Sequence, residues 1–419
     1  MNLQEAFRWI ESEQESLLNR LCELSAMNSG TGNLSGIAQV SEVFAAELDT
    51  HAGDLAVIES ATAQRANLDG ELVTERYGDM LDYRLRPEAP IQVLLVGHMD
   101  TVFPVDHHFQ SPVVKDEAIL KGPGVADMKG GILAMLAALK AFESFGGDQR
   151  LGWRVILNAD EETGSHGSAD YLVKAAATAH AGMIYEPGLT DGTLSRARKG
   201  SANFTLVATG ESAHAGREFE KGRNAIVALS EAVNRIAALS NLQQGLTVNI
   251  GRIAGGSALN VVPDKAVCQF NVRCWRRAEQ DSFLKQIQEL VEELNAQSDC
   301  EFALHGGFSR PPKAISPANQ LFMDWAVDCG QQLSEELRFA DTGGCCDGNN
   351  LAAAGLPNID TLGVQGGYIH TDQEFMLIDS LAQRAKLSLL LLDKLSQRGE
   401  ELLALKEKDS MVETRPATC

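Results

Sequence analysis

The chain has 419 residues, 44% of them hydrophobic and 22% charged, with a formal net charge of −21. That is the make-up of an ordinary soluble globular protein with length enough for two domains. The acidic balance argues against nucleic acid or anionic membrane as a partner, since both reward a basic face, and an anionic small substrate needs local help from arginine or a metal.

The first 27 residues have helical apolar spacing but carry acids throughout. They show no basic n-region, no continuous apolar stretch and no small-residue cleavage site, so they do not read as a signal peptide. No run of 18 apolar residues occurs, the longest candidates being LSLLLLDKL and LLVG. A cytoplasmic protein is expected. Eight cysteines show neither a C-x-x-C pair nor framework spacing, which predicts buried thiols rather than disulfides or a zinc knuckle.

Strands and helices then alternate. IQVLLVGHMD reads as a buried strand, GGILAMLAALKAFESF as a helix, GWRVILNADEE as a strand, SADYLVKAAATAH as a helix and AGMIYEP as a short strand. This predicts an α/β fold, a mixed sheet covered by helices on both faces. The pattern resumes with a helix at QLFMDWAVDCGQQL, a turn and helix at CCDGNNLAAAG, a strand at NIDTLGV and a last helix at SLAQRAKLSLLLLDKL. Between them the order changes to strand (SANFTLVATG), helix (NAIVALSEAVNRIAAL), strand (LTVNIGRIAGG), strand (AVCQFNVRCW), helix (QDSFLKQIQELVEELN), strand (EFALHG). That βαββαβ order is a ferredoxin-like α+β unit, complete in itself and read as an insertion. The predicted division is 1–197 and 312–419 for one domain and 198–311 for the inserted one, with DSMVETRPATC a disordered tail and no internal repeat.

Acids and imidazoles recur where apolar strands run into glycine-bearing turns, the place where open α/β sheets gather ligands. GHMDT puts His98 at a strand end with Asp100 on the same side, because strand side chains alternate. An Asp beside a metal-bound imidazole holds the ring N–H and fixes the tautomer, although H-x-D alone equally describes a structural pair. Asp127, in GPGVADMKGG, has two readings. Its carboxylate can bridge two cations about 3.5–4 Å apart, with Lys129 offsetting its charge, or it can cap the helix that follows. In NADEETGS three consecutive acids repel one another unless cations or a proton relieve them. Glu161 and Glu162, pointing to opposite sides, divide the labour as general base and metal ligand, the alternative being a solvated acidic helix start. Glu186 follows the strand GMIYEPG, and His370 sits in the glycine-bordered loop GGYIHTDQE. His107, His108, His166, His180 and His305 read as ordinary loop histidines. The Cys345-Cys346 pair reads as small filler, with metal ligation as the alternative.

Taken together and in order, from about residue 90 to about residue 395, GHMDTV, GPGVADMKGG, NADEETGSHGS, YEPG, ESAHAG, ALNVVPDKA, the NVR strand end and GGYIHTDQE resemble the M20 family of di-zinc metallopeptidases and deacylases, and within it the glutamate carboxypeptidase branch. The resemblance implies a zinc pair, with cobalt as the alternative. Asp127 would bridge, with His98 and Glu186 on one ion and Glu162 and His370 on the other. Asp100 would orient His98, and Glu161 would act as general base and later as proton donor to the leaving amine. The inserted domain would be a lid and dimerisation domain of a homodimer, its His214 reaching an active site, often across the dimer, to bind the oxyanion. Asn260 and Arg273 match positions lining the substrate site. Arg310 resembles an arginine that clamps a substrate carboxylate, a task that suits its fork. The chain departs from the pattern at Cys345-Cys346-Asp347, where many members carry Ser or Thr before the Asp, which bears on the substrate wall.

The expected activity is release of a C-terminal amino acid, acidic ones included, from a small peptide. The alternative within the family is deacylation of an N-acyl amino acid, of the acetylornithine or succinyl-diaminopimelate type. Outside it stands a non-catalytic binding protein that kept the fold.

Overall fold

The computed structural model describes residues 1–413. Its helices are α1 (Leu3–Ser12), α2 (Gln14–Ala26), α3 (Leu34–Leu48), α4 (Lys129–Ser144), α5 (Ala169–Ala176), α6 (Ala225–Ala237), α7 (Arg277–Gln297), α8 (Pro317–Gln332), α9 (Asp347–Ala353) and α10 (Ser380–Glu413). The amphipathic N-terminal stretch is thus two helices, parted at Glu13. The tail expected over residues 409–419 is helical through Glu413, and residues 414–419 lie outside the described residues. Among the described residues no helix is long and apolar enough to cross a membrane.

Six strands form the main sheet, in the order Asp54–Ile58, Met80–Leu85, Leu151–Asn158, Ile91–His98, Ala181–Ile184, Asn358–Ile359. The last four run parallel, and the first two add antiparallel pairings, so the sheet is mixed as expected. Ile91–His98 is central and buried on both faces, and its alternation divides the two layers. Val93 and Leu95 enter the large core with α4 and α10, whereas Leu94 and Val96 enter a smaller one with Leu172 of α5 and Leu351 of α9. The glycines opening α4 answer a close approach: a Cβ on Gly131 would stand 2.2 Å from the carbonyl oxygen of Tyr185, so the helix lies directly against the segment that carries Glu186.

A second sheet has the order Thr247–Gly255, Lys265–Cys274, Gly200–Thr209, Glu301–Arg310, with every neighbour antiparallel. Its first and third strands in chain order lie at the centre, and α6 and α7 cover one face over a core of their own, as the βαββαβ succession predicts. The last strand runs further than EFALHG. It continues through Gly306 and Gly307, shifts register near Ser309, and ends with Arg310 opposite Ser201. The chain enters and leaves this unit side by side, Arg198 and Lys313 exchanging backbone hydrogen bonds of 3.1 and 3.0 Å. Both side chains reach the same buried oxygen of Asp360, at 2.9 Å from Arg198 Nε and 2.7 Å from Lys313 Nζ.

Candidate metal centre

Because three neighbouring strands are parallel, their carboxyl ends open on one edge. His98 ends the central strand. Glu161 and Glu162 lie in a 3₁₀ turn after the strand ending at Asn158, and Glu186 follows the strand ending at Ile184. The two glutamates part company through this turn rather than through strand alternation, since the strand stops before them. Asp127 arrives from the loop before α4, and His370 from the loop between the short strands Gly366–Gly367 and Phe375–Leu377.

These loops converge. His98 Nε2 lies 3.0 Å from Asp127 Oδ1 and 3.9 Å from Glu186 Oε1. His370 Nε2 lies 3.2 Å from Asp127 Oδ2 and 3.0 Å from Glu162 Oε2. The two oxygens of Asp127 therefore face different imidazoles. Donor atoms of His98, Asp127 and Glu162 all fall within 4.8 Å of one another, and so do those of His98, Glu161 and Glu186. The capping alternative for Asp127 fails, because Met128 is the N-cap of α4 and no side chain caps it.

The electrostatics fit a cation. Burial pushes Glu162 up to about 8, with the charge of Asp127 adding to it. Burial likewise raises Glu161 to about 7 and Glu186 well above the carboxylate range. Asp127 is held low, against its burial, by His370 and His98. The carboxylates of Asp127 and Glu162 lift His370 to about 11. Without a cation such a cluster stores protons on buried acids. A divalent ion would displace them, and imidazole nitrogen with carboxylate oxygen is a donor set that zinc accepts.

Surrounding groups hold the donors in place. His98 Nδ1 lies 2.9 Å from the carbonyl oxygen of Asp100, which accepts its proton and leaves Nε2 facing Asp127. The Asp100 carboxylate stands further off, 3.4 Å from Nδ1, and instead accepts the backbone N–H groups of Glu161 and Glu162 at 3.2 Å each and the Thr31 hydroxyl at 2.7 Å. One residue thereby ties His98 to the acidic turn. Glu374, buried four positions after His370, accepts the N–H groups of Gly124, Ala126 and Asp127, each at 3.0 Å. It fastens the two loops that supply His370 and Asp127 to each other, and burial pushes it up to about 7. Lys129 does not offset Asp127 as expected. Its Nζ donates to the carbonyl oxygens of Leu24 and Met27, each at 2.9 Å, anchoring the end of α2, and burial pushes it down to about 7. Asp160, the third acid of NADEE, is structural: it accepts from Ser168 Oγ and the Gly167 N–H, both at 2.6 Å.

The residues matched to substrate positions divide. Arg310 is buried and engaged on the protein's own groups, with NH2 2.8 Å from Glu161 Oε1 and 2.7 Å from Ser165 Oγ and NH1 2.8 Å from Asp347 Oδ1, rather than standing free for a ligand. Arg273 is half-buried, its NH1 lying 3.2 Å from the Cys345 thiol and 3.3 Å from the carbonyl oxygen of Gly343. Cys346 caps α9, its sulfur accepting the Gly348 N–H, and the cysteines among the described residues are free thiols. His214 and Asn260 are exposed and adjacent on the inserted unit, where the Ala215 N–H donates to the Asn260 carbonyl oxygen, and their partners come from that segment and not from the metal centre. Sequence reasoning missed Thr31, Asp347 as the partner of Arg310, and Glu374. For the last a signal existed, an acid near His370 with no cation close to it in sequence.

A family model described as peptidase family M20/M25/M40 matches residues 94–394. Carboxypeptidase G2 of Pseudomonas sp. (strain RS-16) is 29% identical over 385 residues, 90% of this chain and 89% of the relative. Succinyl-diaminopimelate desuccinylase of Hahella chejuensis (strain KCTC 2396) is 26% identical over 349 residues, 77% and 87% of the two chains. The crystal structure of the M20 family metallo-carboxypeptidase Sso-CP2 from Sulfolobus solfataricus superposes with a TM-score of 0.71 at 16% identity, covering 91% of this chain and 99% of that one, a likeness of fold.

Proposed function

The chain belongs to peptidase family M20/M25/M40, and from that premise we propose a zinc-dependent amidohydrolase that cleaves an amide next to a free carboxylate, most simply a carboxypeptidase releasing a C-terminal amino acid, acidic ones included. The observation that carries this reading is the Asp127 carboxylate, which faces His98 with one oxygen and His370 with the other, beside a glutamate held by an arginine. Asp127 would be shared between two cations, with His98 and Glu186 completing one position and Glu162 and His370 the other. A bound zinc or cobalt pair supplies Lewis acidity toward water and the scissile carbonyl.

The protein's own groups do the rest. Glu161 takes a proton from the attacking water and returns it to the leaving amine, a role served by a carboxyl lifted to about 7. Asp100 fixes the His98 tautomer. Of the two arginines, Arg273 is the one we assign to the substrate carboxylate, because Arg310 is committed to positioning Glu161. His214 and Asn260, whose contacts lie within the inserted unit, serve a partner subunit's site. A homodimer through the inserted unit is supported by exposed Phe219, Val227, Ile253 and Leu259 on that unit and by the open edge of its Thr247–Gly255 strand. The free thiols fit a reducing cytoplasm.

N-acyl amino acid deacylation is the second reading, kept open by the desuccinylase similarity. A binding protein without catalysis is disfavoured by the convergence of all five donors beside Glu161. The test is removal of metal by a chelator, then assay of dipeptides and N-acyl amino acids before and after zinc or cobalt is restored. Full turnover by metal-free protein would overturn the proposal.

A further inference from the structure

One face of the inserted sheet packs on α6 and α7, and strand pairing arranges the other in polar rows. The row nearest the metal centre holds Thr247, Arg273, Ser201 and Arg310, the last reaching Glu161. Next comes Asn249, Asn271 and Asn203, side by side across three strands and ending at Gly307. The third row is Arg252, Gln269, Thr205 and His305. Beyond it Val207 and Val267 close the face under Ala66, which belongs to a small hairpin of the first domain. The three rows contain no Asp, Glu or Lys, in a chain with 57 acids against 36 lysines and arginines. A merely solvated strand face in so acidic a protein would carry its share of acids.

A cavity of about 420 Å³ lies over the second and third rows, with His166, Ser309, Arg65 and Ala66 also in its wall. Arg65 is paired with Glu75, but Arg252 has no ion-pair partner among the described residues. The amides are held in order: Asn271 Nδ2 donates to Asn203 Oδ1 at 2.8 Å, and Gln269 Nε2 to the Ala66 carbonyl oxygen at 3.3 Å. Ordered amides offer donors and acceptors to a peptide backbone, and an unpaired arginine on the outer strand of the third row offers a seat to an anion.

We propose that this face is the acyl-side groove of the enzyme, taking an extended peptide or peptide-like chain that leads away from the scissile amide and ends in an anionic group held by Arg252. The inference rests on the amidohydrolase reading and adds a substrate class to it. Successive rows are two residues apart along each strand, so the first and third are separated by about 13 Å, the reach of roughly four extended residues. The anion is therefore recognised only on a chain of that length.

The test uses N-succinyl and N-acetyl oligoalanines of one to six residues on the zinc-loaded protein, together with binding of the same peptides to metal-free protein by calorimetry. The expected result is no succinyl preference for the shortest peptides and about a tenfold preference near four residues, the scale of one charge-assisted contact, carried by KM and abolished in Arg252→Ala. Arg252→Lys should retain part of it. Cleavage without a length-dependent succinyl preference, or a preference that survives Arg252→Ala, overturns the groove and leaves the hydrolase reading intact. Selective binding to metal-free protein that Arg252→Ala abolishes, with no cleavage by the loaded protein, supports the groove and overturns the hydrolase reading.

Discussion

Arg310, the last residue of the inserted sheet, holds Glu161 of the metal centre through a 2.8 Å contact between buried groups. The same guanidinium reaches Asp347 at 2.8 Å, so a single cation serves two carboxylates, one in the 3₁₀ turn and one at the start of α9. Arg310→Ala strands both acids. Removing one partner of a buried ion pair costs about 3–5 kcal/mol, which denaturant unfolding should read. Loss of the nearby positive charge also raises Glu161 further, so the acidic limb of the kcat/KM profile should move to higher pH. An unmoved limb would deny Arg310 its hold on the base.

Glu161→Gln keeps size and removes basicity. A fall in kcat of about 10²–10⁴ is expected, with metal content measured by atomic absorption unchanged. A variant that turns over normally removes Glu161 from its assigned role.

Glu374→Gln replaces an acceptor of three backbone N–H groups with a side chain that must turn a donor toward some of them. The Asp127 loop should loosen although no assigned ligand has changed, and metal affinity should fall about 10–100-fold in chelator competition. Wild-type affinity would show that the loop stands without this clamp.

The metal-free protein carries a pH signature. Glu161, Glu162 and Glu374 are raised to about 7, 8 and 7 from an ordinary 4.5. A carboxyl raised on folding binds more protons folded than unfolded, so its stabilisation is full below the unfolded value and is lost as pH rises through the folded one. His98 and His370, also raised, act in the same direction. The Tm of metal-free protein should therefore fall between about pH 5 and 8, while metal-loaded protein changes less and metal uptake releases protons. A Tm that climbs across this window would contradict the arrangement.

Much of this was legible in the chain because it is local. Apolar runs ending in GHMD, NADEE and YEP announce strands whose carboxyl ends carry donors, and alternation in SANFTLVATG or AVCQFNVRCW separates a core face from an open one. What stayed hidden depends on distant partners. Gly306-Gly307 reads as a strand end, yet the sheet carries the strand across it, which lifts Arg310 out of a loop and sets it against Glu161. Lys129 sits two residues from Asp127 but turns to α2, whose end comes from a segment about a hundred residues away. Glu374 shows its purpose only once its loop is folded onto Gly124–Asp127. His166 and His305, unremarkable as letters, wall the same cavity.

Arg198 and Lys313, at the two crossings into the inserted unit, end on one oxygen of Asp360. Both crossings are therefore pinned to one carboxylate, and further out the same sheet is pinned again, where Gln269 donates to the Ala66 carbonyl oxygen and Val207 and Val267 pack on Ala66. Moored at both ends to the first domain, the sheet keeps Arg310 seated against Glu161, so the base owes its placement to a span anchored well outside the metal centre.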